Sequence, residues 1–253
     1  MARRATIFSQ FDDSTTLRIA GPYEFAKWNP AHPLNPERIT PLIRGYEHLS
    51  YDLGVLGTSE SHVLSLLSGT QPEKWFQVAS YPQVHSLQTD KGLIIAVVFP
   101  TPELNTAPST SMIQNLVATL SELRSDHPNA LIVGISSWGR ENERQFVEKH
   151  EGSCNILLGS GPGPGLTSTF STHALTLWTR AYSKGRTVTK IEIREFPAAD
   201  APLSWITGRN ISAQLVLLGE KIQENPAMDA ILAPLNVVAK VSASSQKRRP
   251  CGK

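Results

Sequence analysis

Short β-branched apolar runs alternate with stretches of helical period along most of this chain, the pattern of an α/β fold. Thr16 to Ala20 reads as an apolar strand that ends at Gly21-Pro22. Asn35, Pro36 and Glu37 then open a helix, with Asn as its cap and Pro in the first turn. Ile39, Leu42, Ile43, Tyr46 and Leu49 recur at helical spacing and form its apolar face. Leu53 to Leu56 reads as a buried strand stopped by Gly57. Trp75 to Ala79, Val84 to Leu87 and Leu93 to Phe99 are further strands, the last a continuous apolar run suited to cover on both faces.

Pro100 and Pro102 end that run, and a helix is predicted over Ser111 to Ser125, a strand over Ala130 to Ile135, a charged helix over Arg140 to His150 and a short strand over Asn155 to Leu158. After a loop from Gly159 to Gly165, the segments Ala174 to Tyr182 and Thr187 to Arg194 read as an antiparallel pair joined at Lys184-Gly185. Two helices are predicted over Ile211 to Gln223 and Ala227 to Leu235, and the polar tail from Ser242 is expected to be disordered.

Hydrophobic residues at 40% and charged residues at 18% suit a packed globular protein. The 253 residues allow one domain or a domain with a small appendage. The net charge of +2 owes much to Arg3-Arg4 and Lys247-Arg248-Arg249, read as solvated chain ends. No basic face interleaved with aromatics implies nucleic acid. Two cysteines build neither a disulfide framework nor a cysteine zinc site within a monomer. Cys154, before a buried strand, reads as a small core residue and Cys251 as a spectator in the tail. No apolar run approaches the roughly 20 residues that span a bilayer, and the opening residues lack the apolar stretch of a signal peptide.

Open α/β sheets place ligands beyond the carboxyl ends of their strands, so chemistry is sought in four turns: Ala20 to Glu24, Gly57 to His62, Ser136 to Gly139 and Gly159 to Gly165. Over residues 2 to 195 these turns carry a resemblance. Tyr51-Asp-Leu-Gly-Val-Leu-Gly-Thr-Ser-Glu60 is similar to the segment of calcineurin-like phosphoesterases in which an apolar strand runs into Gly-Asn-His-Glu. Leu131 to Gly139 resembles their strand ending in Ser-His-Leu-Gly, and Asn155 to Pro162 the strand ending in Gly-His-Thr-His. Leu17 to Gly21 resembles the strand ending in Ala-Gly-Asp, Ala2 to Thr6 the start of the first helix of 5'-nucleotidases, and Arg180 to Ile193 the stretch before their last strand. The best single match is the UshA-like group of 5'-nucleotidase relatives, some of which carry selenocysteine.

The resemblance implies a metallophosphoesterase-like sandwich of two mixed β-sheets flanked by helices, over residues 1–195, followed by a helical extension over 196–241 and a basic tail over 242–253. It leaves open whether the fold's first strand belongs to this chain, because the family's opening Asp-x-His would precede Met1. A selenocysteine codon read as a stop would account for a late start and for a missing signal peptide, in which case the protein is periplasmic or exported, as bacterial relatives generally are.

The departures remove the metal ligands. The expected Asp is Pro22, the Asn and His of the second motif are Thr58 and Ser59 ahead of Glu60, Ser80 stands where an Asn follows another strand, and the third motif's His is Ser137, next to Ser136. In the fourth motif, Gly159-Ser160-Gly161-Pro162, both imidazoles are gone. Hydroxyls are poor ligands for transition metals, so the ancestral pair of divalent metals is expected to be lost, with no cofactor in its place. The implied function is a non-catalytic module that binds a partner domain or a small anionic ligand. Two rivals remain: a phosphoester or nucleotide hydrolase, either with its metals held by other residues, Glu24, Glu60 and His62 among them, or with its first motif lost to truncation; and a fragment whose partner domain carries the chemistry.

Plainer readings stand beside these. Gly159 to Gly165 matches no phosphate-cradling pattern and reads as a tight turn, although an anion on the amides of Gly161 and Gly163 is an alternative. Glu60 and His62 read as an exposed helix start. Gly134-Ile135-Ser136 begins like the elbow of a serine hydrolase, but Trp138 stands where its second Gly is required; His150 or His173 would have to approach Ser136 or Ser137 in space.

Overall fold

The computed structural model describes residues 1–11, 14–24, 36–66, 73–103, 106–182, 185–199 and 203–235. Asn35, Lys184, Cys251 and the tail from Ser242 lie outside them.

Three parallel strands, β1 (Ile19–Ala20), β2 (Leu53–Leu56) and β3 (Trp75–Gln77), make a small sheet. A larger sheet contains β4 (Gln83–Thr89), β5 (Gly92–Val98), β6 (Leu131–Ser136), β7 (Ile156–Gly159), β8 (Leu166–Phe170) and β9 (Leu177–Arg180), in the spatial order β4-β5-β6-β7-β9-β8. Its four central strands run parallel and its two edges antiparallel, so of the two main sheets only the larger is mixed.

Alternation along the buried strands sets the layers. Ile95, Val97 and Phe99 turn to α4 (Thr110–Asp126) and α5 (Arg140–Lys149), meeting Leu116, Leu120 and Phe146. Ala96, Val98 and Ile135 turn the other way, onto Leu53 and Val55 of the small sheet. The outer face of the small sheet is covered by α1 (Ala2–Phe8), α2 (Pro36–His48), α3 (Thr58–Leu66) and α6 (226–235), through Ala5, Tyr46, Leu49, Leu64 and Met228. The result is helix, sheet, sheet, helix, the sandwich that doubly covered strands require. No helix among the described residues is long and apolar enough to cross a membrane.

Two expectations are corrected. Leu177–Arg180 is buried at every residue and needs neighbours on both sides, so β9 lies between β7 and β8 instead of forming a hairpin with Thr187–Ile193. That second segment is β10, and its antiparallel partner is β11 (Ile211–Leu217), in the region where a helix over Ile211 to Gln223 was predicted. Ile193 pairs with Ile211 and Thr187 with Leu217; this pairing, with Ile191 and Ile211 packed in one cluster with Leu131 and Leu177, outweighs local helical preference.

Candidate functional site

Hydrogen bonds join the carboxyl ends of the parallel strands in both sheets. The Thr101 N–H beyond β5 donates to Ala79 O beyond β3 at 2.8 Å, which sets Ser80 beside that contact. Thr101 Oγ1 lies 3.2 Å from Ser137 Oγ. The amide and the hydroxyl of Ser160 both donate to Ser136 O, each at 2.8 Å, and Gly139 N–H donates to Ser160 O at 3.2 Å. Gly21 sits against Ser160, so that a Cβ there would lie 3.8 Å from Ser160 Cβ. Tyr23 N–H donates to Glu60 Oε2 at 2.7 Å, which brings the first turn to the second. The four turns after β1, β2, β6 and β7 therefore lie side by side at the carboxyl ends of the strands, where open α/β sheets have their ligand crevice.

Glu60 is not an exposed helix start. Its residue is 0% exposed, and Oε2 accepts the Gly57 N–H at 2.9 Å as well as that of Tyr23. As the third residue of α3 it reaches back to the residue before the helix, in the manner of a capping box with Gly57 at the cap. The local spacing of Glu60 and His62 gave no sign of the second donor, which arrives from 37 positions earlier. His62 and Thr58 are exposed and Ser59 is half-buried.

Tyr23 holds the left-handed backbone region, with φ 73°, and its ring covers Gly57 so closely that a Cβ on Gly57 would overlap it. The next residue, Glu24, is anchored by a buried cluster: Arg4 Nη1 donates to Glu24 Oε2 at 2.9 Å and to the Tyr51 hydroxyl at 2.6 Å, and the Tyr46 hydroxyl donates to Glu24 O at 3.0 Å. Burial, with Glu24 adding to it, pushes both tyrosine hydroxyls well above their ordinary range. Arg4 is thus no solvated chain end, being 5% exposed; only a carboxylate from the first turn makes its burial tolerable. Arg3 pairs with Glu224 at 3.2 Å.

A second buried ion pair underlies the loop from Gly159 to Gly165. Glu143, in the first turn of α5, pairs with Arg180 at the end of β9. Its Oε2 also accepts the Trp178 indole N–H at 3.1 Å and its Oε1 the Ser160 N–H at 3.2 Å. Arg180 Nη2 donates to Gly161 O at 3.1 Å and Pro162 O at 3.0 Å, and Nε to Pro164 O at 3.2 Å. Burial pushes the Glu143 carboxyl above its ordinary value, and the guanidinium opposes that push without cancelling it.

The serine-hydrolase constellation does not assemble. Ser136 is 0% exposed, with its Oγ accepting the Trp138 N–H at 3.1 Å, and the Trp138 indole is anchored on Pro100 O at 2.6 Å. His150 follows the far end of α5, about 15 Å of helix away from Ser137. His173 is bound to Glu151 at 2.8 Å in the loop that precedes β9, at the amino end of the strands.

Nor do the described residues fit the divalent pair that the resemblance implies. At the strand ends stand the hydroxyls of Thr58, Ser59, Ser80, Thr101, Ser137 and Ser160, while Pro22 and Pro162 offer no side-chain donor. The carboxylates of Glu60, Glu24 and Glu143 are turned to the partners described above. Among the described residues no group of three or more His, Cys, Asp or Glu gathers where it would hold a metal ion. Sequence reasoning missed Tyr23, Thr101, Glu143 and Arg180; the one local signal was the two acidic residues, Glu141 and Glu143, in the first turn after Trp138-Gly139.

No protein-family model matches the chain, and no curated protein matches it. Solved structures do. Sulfate thiohydrolase SoxB of Thermus thermophilus is 11% identical with a TM-score of 0.65, over 93% of this chain and 46% of that one. The calcineurin-like phosphoesterase YfkN of Bacillus subtilis is 13% identical with a TM-score of 0.63, over 94% and 88%. NAD nucleotidase NadN of Haemophilus influenzae is 9% identical with a TM-score of 0.57, over 97% and 61%. The chain therefore spans less than half the length of SoxB, and at these identities the likeness is one of fold.

Proposed function

We propose that this chain, which has the fold of the metallophosphoesterases and 5'-nucleotidases, is a non-hydrolysing relative that uses its strand-end crevice to bind a small anionic ligand or the anionic group of a partner domain. The observation that carries this reading is the commitment of Glu60: the one carboxylate in the second turn spends its Oε2 on the N–H groups of Tyr23 and Gly57. A metal ligand needs those lone pairs. An anion is favoured by the amino ends of α3 and α5, which both begin at the crevice, and it competes with the carboxylates of Glu60 and Glu143 in their first turns. Ser59 and Ser137 place hydroxyls beside it, the second shared with Thr101, while the Ser160 hydroxyl is held on Ser136 O. The rival reading, a hydrolase using Glu24, Glu60 and His62, would have to release Glu24 from Arg4 and Glu60 from its cap.

Metal analysis of the purified protein, with hydrolysis of a nucleotide and of an aryl phosphate measured with and without Mn, tests the proposal. Substoichiometric metal and no turnover above the blank are expected. Stoichiometric Mn, Zn or Fe, or Mn-dependent turnover, overturns it.

A further inference from the structure

Away from the crevice, at the amino end of β2, a groove of about 490 Å³ runs between the two main sheets. Five consecutive residues of β4, 84–88, line it. Side chains of a strand alternate between faces, so a groove bordered by five in a row follows the strand's edge and not one of its faces. That edge is open, because β4 is the outermost strand of the large sheet and pairs with β5 alone among the described residues.

The four edges of the two main sheets differ in how they discourage pairing. β1 has two residues and β3 three, and β8 carries a register shift between Leu166 and Thr169. Short strands and bulges are the ordinary means of keeping an edge from recruiting another strand. β4 has neither: it pairs without interruption from Gln83 to Thr89, and no Lys, Arg, Asp, Glu or Pro occurs in it. Val84 on this edge is 42% exposed.

The groove also has a floor and a lip. Leu17, Leu53 and Phe76 make the floor apolar, with the Phe76 and His85 rings in contact at 4.1 Å between centroids. His85 Nε2 is buried and has no hydrogen-bond partner among the described residues. At the lip stand Asp52 and Glu73, with Lys74 the single opposing charge among the described lining residues, 3.8 Å from Asp52.

We propose that this groove is a docking site for an extended segment of a partner protein, apolar at alternate positions and carrying Lys or Arg between them, which adds a strand to the open edge of β4. Main-chain hydrogen bonds to the edge supply affinity, and the floor and lip supply selectivity. The two lip carboxylates against one ammonium favour a basic segment. A second copy of the chain is a poorer occupant, because β4 lies in the wall of its own concavity and two concave faces do not fill each other.

The test uses the full chain, labelled with nitrogen-15, and two capped heptapeptides, one alternating Val with Lys and one alternating Val with Glu. With the Val–Lys peptide, residues 84–88 show shifted amide signals and hydrogen exchange slowed by about tenfold, while the Val–Glu peptide binds about tenfold more weakly. Glu73→Lys, a change at an exposed side chain, weakens the Val–Lys peptide by about threefold. The proposal is overturned if the Val–Lys peptide does not bind saturably, if the shifts fall elsewhere, if the Val–Glu peptide binds as well, or if residues 84–88 are already protected in a concentration-dependent dimer.

Discussion

Arg180 and Glu143 lie 37 positions apart in the chain and pair where their side chains are 2% and 0% exposed. The pair joins the end of β9 to the first turn of α5, and through Gly161, Pro162, Pro164 and Ser160 it holds the whole fourth turn in place. A guanidinium reading three carbonyls thus orders backbone that borders the crevice.

Arg180→Met should therefore destabilise the protein by about 3–5 kcal/mol, because it leaves a buried carboxylate without its counter-charge. The joint change Glu143→Leu with Arg180→Met should cost less than Arg180→Met alone, since no lone charge remains. Urea denaturation measures all three. A loss under about 1 kcal/mol in the single variant would show that the pair does not hold the turn.

Glu60→Ala removes the acceptor shared by the Tyr23 and Gly57 N–H groups, and should cost about 2–4 kcal/mol. Glu60→Gln keeps an oxygen in the same place and should cost less than half of that. Thermal and urea unfolding of the two variants separate a capping role from a purely electrostatic one, since in the second case Gln would fare as badly as Ala.

Glu151 supplies a pH dependence whose sign follows from its contacts. Burial pushes its carboxyl up, but hydrogen bonds from Ser171 and His173 outweigh burial and hold it down at about 2, against an ordinary 4.5. A carboxyl depressed in the folded state stabilises above its ordinary value and loses that contribution as pH falls toward the folded one. The stability gap between the wild type and Glu151→Gln should accordingly be widest above pH 4.5 and shrink toward pH 2. Urea midpoints across that range check it, and a gap constant with pH contradicts it.

Much of the scaffold was legible because it is written in short-range pattern. The apolar run Leu53–Leu56 matches β2 residue for residue, and the faces of β5 follow strict alternation. The four turns were found because strand ends carry small residues. What escaped was whatever depends on contact across the chain. Ile211–Leu217 became a strand through β10, and Glu60 and Arg4 became buried through partners 37 and 20 positions away. Charge alone marks a residue as exposed; only the fold supplies the counter-charge or the amide that reverses this.

The left-handed backbone at Tyr23 costs roughly 1–2 kcal/mol for a residue with a Cβ, and the bare backbone of Gly57 gives the aromatic ring its seat. Neither position is free to drift by itself. A descendant that gains a methyl group at 57 must evict the ring, and one that trades the ring for a small side chain keeps the strain with nothing to offset it. Positions 23 and 57 are thus coupled in heredity, and substitutions at the two should arise in pairs.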